Sequence, residues 1–214
     1  AYMKANYPVE YMCAILTAES GDVEKISEIV NECKHMGIVV LPPDVNESFE
    51  AFTVVPKEKN GEEKGTIRFG LYTIKNLGAD IGGAIVEERK NGEFKSLVNF
   101  LDRVRHKNVN KKSMEALVKS GAMDKFGTRG KLLNNMETIL SYNKELGAIN
   151  KDQISLFGAL PEGDETTKLS LAEAPDATKE EKLAWEKELL GLYVSGHPLD
   201  RIRDKLEARD MNIK

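Results

Sequence analysis

The chain has 214 residues, 41% of them hydrophobic and 31% charged, enough to bury one or two cores and ordinary for a soluble globular protein. No apolar run approaches membrane-spanning length and no charged-apolar-small leader opens the chain, so the expectation is a cytoplasmic protein with no membrane partner. The net charge of −4 hides an asymmetry: residues 67–131 carry 14 Lys or Arg against 7 Asp or Glu, and residues 152–190 carry 4 against 10.

In chain order, residues 2–18 read as one or two short helices around Pro8, with Tyr2, Tyr7, Tyr11, Met12, Ile15 and Leu16 as apolar contacts. Asp22 is placed to cap the next helix, whose apolar positions Val23, Ile26, Ile29, Val30 and Cys33 recur at helical steps until Gly37. Cys13 and Cys33 fall within these patterns and read as reduced core thiols. His35 lies near Cys33, but no further Cys or His completes a zinc site, and the metal expectation is none. Ile38–Leu41, Phe52–Val55 and Thr66–Phe69 read as short strands, the last two joined as a hairpin by the polar stretch 57–65. The fold class is therefore mainly α with a small β-sheet, an α+β arrangement.

From Phe69 the pattern changes. Phe69–Lys75 reads as a short helix with Leu71 and Ile74 inward, Asn76-Leu77-Gly78 as a tight turn, and Asp80–Lys90 as a second helix with Ile81, Ala84, Ile85 and Arg89 on its inner side. A helix, an apolar-x-Gly turn and a helix make the helix-hairpin-helix pattern. Its physics suits duplex DNA without base preference. Gly78 lets the backbone approach closely, and the free N–H groups at Ala79 and beyond face a phosphate, with Lys75 adding charge. Lys75, Asn76, Leu77, Gly78 and Ala79 are thus the first DNA-binding candidates. Asp80 argues against them, because its charge repels a phosphate. Gly82-Gly83 costs about 1 kcal/mol per glycine within a helix. A helix pair that touches only protein fits the same residues.

A related unit follows. Ser96 caps Leu97–Val104, residues 106–110 connect, Asn110 caps Lys111–Ser120, and Gly121 ends it. Met114, Leu117 and Val118 form the core face of the last helix. This unit lacks an apolar-x-Gly turn, so it is structural first, with Lys107, Lys111 and Lys112 as secondary DNA candidates. A basic middle before an acidic tail agrees with a nucleic-acid-binding module, although excess charge on solvated faces gives the same balance.

Leu132, Leu133, Met136, Ile139 and Leu140 mark an amphipathic helix ending near Gly147. Gln153-Ile154-Ser155-Leu156-Phe157 then places two large apolar side chains in a polar stretch, the pattern of a surface meant for another protein. The alternative is a loop whose Leu and Phe fold back onto the domain. Residues 158–177 read as a flexible linker. Thr178 and Glu181 form a capping box for a helix through Leu190, with Trp185 and Leu189 on its apolar face and Gly191 as its stop. Residues 192–199 are turn-rich, and a last helix runs to about Ala208. His197 has no Ser, Asp or Cys constellation around it and reads as structural. No Asp-x-Asp pair or compact acidic cluster appears, so no catalytic residue is assigned.

These residues together carry a resemblance. Gln-x-Ser-Leu-Phe resembles the peptide that bacterial DNA polymerases insert into a pocket on the ring-shaped sliding clamp. The stretches 1–17, 37–48, 67–78, 110–124, 153–157 and 187–200, in that order, resemble the alpha subunits of bacterial DNA polymerase III, the C-family replicative polymerases. The resemblance covers nearly the whole chain. It implies that residues 1–65 are the end of the fingers domain, 66–147 a tandem helix-hairpin-helix domain, 148–177 a loop and linker with the clamp-binding motif 153–157, and 178–214 the helical lead into an OB-type domain that is missing. It implies duplex DNA and the clamp as partners, with other replisome subunits binding regions outside these residues. It also implies that the carboxylates holding Mg²⁺ for phosphoryl transfer sit in an upstream palm domain, which leaves this piece non-catalytic and without a cofactor of its own. The abrupt start inside a helical pattern fits an excised piece. The competing class is an interaction scaffold that presents the peptide and never touches DNA. A third is a free-standing repair protein, which would need carboxylates of its own.

Overall fold

The computed structural model of the chain describes residues 2–56, 65–148, 169–196 and 198. It is an α+β fold in which a three-stranded sheet is inserted into a helical chain. Helices α1 (Tyr2–Asn6) and α2 (Pro8–Ala18) meet at Pro8, which sits at the first position of α2, where a missing N–H costs nothing. Met12, Cys13 and Leu16 of α2 are buried, but Tyr2 and Tyr7 are 70% and 49% exposed. Both tyrosines were expected as apolar contacts of these helices; α1 is a single turn with no buried residue, which leaves them at the surface.

Helix α3 (Val23–His35) begins where expected, with the Asp22 carboxylate accepting the Lys25 N–H at 3.2 Å. It stops before Gly37, whose φ of 70° requires the left-handed region. Strands β1 (Val40–Leu41), β2 (Thr53–Val55) and β3 (Thr66–Arg68) order as β1-β3-β2. β2 and β3 form the expected antiparallel hairpin, and β1 runs parallel to β3. Helix α2 packs on β2 and β3, and α3 on β1.

The loop between β1 and β2 ties the sheet to the following helices. Ser48 donates its hydroxyl to the Phe69 carbonyl at 2.6 Å, and Asn46 exchanges hydrogen bonds with Phe94 N–H and C=O at 2.8 and 2.9 Å. Five further helices follow: α4 (Ala79–Arg89), α5 (Leu97–Arg103), α6 (Lys111–Lys119), α7 (Arg129–Asn134) and α8 (Met136–Ala148). The single amphipathic helix expected around residues 132–140 is two, broken at Asn135. Leu132, Met136 and Ile139 are still all buried.

Asn135 also explains why part of the expected linker is ordered. Its side-chain amide accepts the Ala172 N–H at 2.8 Å and donates to the Ala172 carbonyl at 2.9 Å. Gly130 donates its N–H to Asp176 at 3.3 Å, and Leu169 and Leu171 pack against the core. Residues 169–177 are thus an extended strap on α7, and composition alone misread them as solvated. Helix α9 (Lys179–Leu189) follows with its capping box formed by Thr178 and Glu181. It packs against α6, so that one hydrophobic core runs from Val9 to Leu192. The expected helix to Ala208, His197 and the pentapeptide 153–157 lie outside the described residues.

Candidate nucleic-acid interface

The first hairpin is built with one change from expectation. Its leading arm is a 3₁₀ turn, Leu71–Thr73, and not a helix over Phe69–Lys75. Leu71 and Ile74 are nonetheless buried, at 0% and 3% exposure. The reason is the close approach of this arm to α4. A Cβ on Gly82 would stand 2.9 Å from two carbons of the Tyr72 ring, and one on Gly83 would stand 3.1 Å from the Tyr72 hydroxyl. The glycine pair that weakens the helix locally is what lets the arm lie on it.

The turn itself is tight. Asn76 takes φ 71° and Gly78 φ 83°, both in the left-handed region, with Leu77 between them 1% exposed as the anchor. Lys75, Asn76, Gly78 and Ala79 are all exposed. No side chain caps α4 at Gly78. The amides that open a helix have no acceptor within it, so Ala79 and Asp80 present N–H groups at a positive helix end. The Ile81 N–H is taken by the Asp80 carboxylate at 3.0 Å.

Asp80 does more than oppose a phosphate. Its other oxygen accepts the side-chain amide of Asn108, in the connection of the second unit. The His106 imidazole lies 3.9 Å from the same carboxylate. The Asn108 hydrogen bond, foremost, with the Ile81 N–H and His106 behind it, holds the Asp80 carboxyl below its usual range. The turn 76–78 and the connection 106–110 are therefore side by side, joined across 28 residues of sequence. Asn108 carried no signal in the sequence; a lone Asn between a lysine and a valine reads as loop chemistry.

The second unit opens cleanly. Asn110 accepts the Ser113 N–H at 3.1 Å and donates its own backbone N–H to the Ser113 hydroxyl at 2.9 Å, a reciprocal cap. Lys107, Lys111 and Lys112 are exposed around it. Elsewhere in the basic middle most cations are paired: Arg68 with Glu47, Lys90 with Glu87, Lys119 with Glu115, Lys125 with Asp44 and Glu47, Lys131 with Glu173. Arg89 is spent on the Val45 and Ser48 carbonyls, and Lys95 is exposed without an ion pair. Among the described residues, Lys75, Lys107, Lys111 and Lys112 form no ion pair. Arg105 joins them; its Nε donates only to the Asp102 carbonyl at 2.8 Å. Arg105 was missed because it stands at a helix end, where a cation also suits the dipole. Apart from Arg89 and Lys95, the cations of the basic middle that form no ion pair stand around the two adjacent connections.

Among the described residues, no group of three or more His, Cys, Asp or Glu comes together as a metal site. No helix among them is long and apolar enough to cross a membrane.

Comparison with known proteins agrees with this geometry. The helix-hairpin-helix motif family matches residues 37–132. The DNA polymerase III subunit alpha of Thermus aquaticus is 44% identical over 215 residues, covering 100% of this chain and 17% of that protein. The same subunit of Deinococcus radiodurans is 42% identical and that of Campylobacter jejuni 38%, covering 100% and 98% of this chain. The chain belongs to the DNA polymerase III alpha-subunit family. It spans about a sixth of the length of these relatives, at 17%, 16% and 17%. The helix-hairpin-helix match takes in both connections described above, along with the sheet before them.

Proposed function

We propose that this chain is the duplex-holding and clamp-tethering segment of a replicative DNA polymerase and carries no catalytic step itself. The observation that carries the reading is the juxtaposition of the uncapped α4 start at Gly78–Ala79 with the cation-rich connection before α6, linked by Asp80 and Asn108. Backbone amides and unpaired lysines bind phosphates, not base edges, so the grip is indifferent to sequence and yields to salt. Lys75, Asn76, Gly78 and Ala79 contact the backbone first, with Leu77 anchoring the turn from inside. Lys107, Lys111 and Lys112 add charge beside them. Two-metal phosphoryl transfer, with its Mg²⁺, belongs to regions of the polymerase beyond this segment.

The second half of the proposal is the peptide Gln153–Phe157. Leu156 and Phe157 fill an apolar pocket on the sliding clamp, Gln153 meets its polar edge, and Ile154 and Ser155 set the spacing. Gln153 is five residues beyond Ala148, the end of α8, so the peptide starts within about 17 Å of the body that holds the duplex. A five-residue peptide buries little area and binds weakly alone. Linked to a DNA grip on the same duplex, it strengthens the overall hold about 10²–10⁴-fold. Replication then takes place where the clamp and DNA are, in the bacterial cytoplasm, with other replisome subunits engaging the rest of the polymerase.

The test is duplex binding by the 214-residue chain, followed by fluorescence anisotropy at several salt concentrations with two unrelated duplex sequences. Equal affinity for both sequences and a steep fall with salt are expected. Absent binding would favour the scaffold without DNA contact, and sequence preference would contradict the hairpin grip.

A further inference from the structure

Helix α9 carries a buried charge that the duplex interface does not use. Glu186 is 0% exposed. One of its carboxylate oxygens accepts the N–H groups of Val194 and Ser195, both at 2.9 Å. The other faces Arg129 Nη1 at 3.5 Å. Arg129 is itself 5% exposed and uses the rest of its fork on α6 and the turn after it. Nη1 donates to the Lys119 carbonyl at 3.0 Å, while Nε and Nη2 grip the Asp124 carboxylate at 3.0 and 2.9 Å. Every oxygen of the buried carboxylate thus has a donor. A pair this deep is retained only where its geometry is fully satisfied, and it then fixes the elements it joins.

What it fixes is the end of α9. One turn beyond Glu186, the Leu189 carbonyl accepts the backbone N–H of Lys75 at 3.0 Å. Lys75 opens the turn that faces the duplex. The next residues are clamped too. Leu190 and Leu192 are buried, Lys187 donates to the Gly191 carbonyl at 2.9 Å, and a Cβ on Gly191 would overlap Val23 of α3. The end of α9 is therefore held between α3, the Arg129–Glu186 pair and the hairpin turn, and its free carbonyl meets the turn at one residue.

We propose that Arg129 and Glu186 are positioning residues for the duplex grip: they hold the end of α9 so that Leu189 sets where Lys75 stands. The proposal rests on the duplex reading above and deepens it, since it places part of the grip's accuracy in a helix that touches no DNA. Loosening the pair lets the 191–195 turn and the Leu189 carbonyl shift, and Lys75 loses its fixed approach to the phosphate.

The experiment is a cycle in the 214-residue chain: wild type, Lys75→Ala, Glu186→Gln and the double variant, each titrated with a labelled duplex across salt. Glu186→Gln keeps the volume and removes the charge that Arg129 and the two amides require. Each single change should weaken binding about three-fold at moderate salt and lower the salt slope by about one, the loss of one phosphate contact. The double variant should bind no more weakly than either single one, because both act through the same contact. Should Glu186→Gln lose its folded far-ultraviolet signal, Ser195→Pro replaces it. That change removes one N–H from the carboxylate and leaves both charges in place, with the same expected shift. Wild-type affinity and slope in a folded Glu186 or Ser195 variant would overturn the positioning role while leaving the duplex reading intact, as would independent effects in the double variant. A silent Lys75→Ala would remove Lys75 from the grip and overturn the proposal. Salt-independent binding by the wild type would instead sink the duplex reading itself.

Discussion

Replacing Gly82 by Ala sets two opposed effects against each other within the hairpin. Alanine in place of a mid-helix glycine gains about 1 kcal/mol through the backbone entropy of the unfolded chain. Against it stands the Tyr72 ring, whose Cδ1 and Cε1 would lie 2.9 Å from the new methyl, with Leu71 Cβ at 3.4 Å. Ordinary carbon contacts need about 3.5–4.0 Å, so the ring must retreat by half an ångström or more. Leu71 is fully buried and fixes the arm, whereas Tyr72 is 44% exposed and can swing outward. Overpacking of this kind costs about 1–3 kcal/mol, and the exposed ring places it toward the lower end. The net expectation for Gly82→Ala is a destabilisation of about 0–2 kcal/mol. In a Tyr72→Ala background the obstacle is gone, and the same change should stabilise by about 1 kcal/mol. Urea unfolding followed through the half-buried Trp185 measures all four corners of the cycle. A Gly82→Ala variant that gains the full increment in both backgrounds would refute the close approach of arm and helix.

Other consequences are read more simply. Gly78→Ala forces a Cβ into φ 83° and toward the Asp80 carboxylate at 2.8 Å; it should cost about 1–2 kcal/mol in denaturant unfolding and weaken duplex binding beyond the effect of Lys75→Ala. Asp80 has its carboxyl held below the usual 3.8, so its contribution to stability is present above that pH and is lost as the pH falls through the lower folded value. Asp80→Asn should accordingly flatten the acid limb of the stability profile. Cys33 is buried and its thiol is pushed up to about 11 by desolvation, so iodoacetamide at pH 8 should alkylate it only after denaturation. Leu156→Ala with Phe157→Ala should abolish capture of the sliding clamp while the melting curve stays unchanged; a double variant that still binds the clamp removes the peptide from the proposal.

Much of the fold was legible because its signals are local. Asp22, Ser96, Asn110 and Thr178 each cap the helix they precede, and the β2–β3 hairpin follows from two apolar runs around a polar connection. The turn residues 75–79 were legible for the same reason, since Gly78 and the buried Leu77 are required by the backbone path. What escaped depends on contacts across long sequence distances. Asn108 reaches Asp80, Asn135 holds Ala172, and Glu186 meets Arg129, and none of these partners shares a helical or strand period with the other. Glu186 was the hardest, because it lies on the Leu183–Leu189 side of α9 where pattern reading expects an apolar residue and favours Trp185. The strap 169–177 shows the same limit: Ser170, Glu173, Pro175 and Asp176 gave it the composition of a solvated segment, while Leu169, Leu171 and one Asn side chain hold it down.

Amide hydrogen exchange of the 214-residue chain, with and without a duplex, tests the central claim most directly. Protection on adding duplex should appear at the start of α4, around Ala79 and Asp80, and at the connection before α6, around Lys107 to Lys112, and it should fade as salt is raised. Protection confined to other surfaces, with both of these segments exchanging as in the free chain, would contradict the phosphate grip.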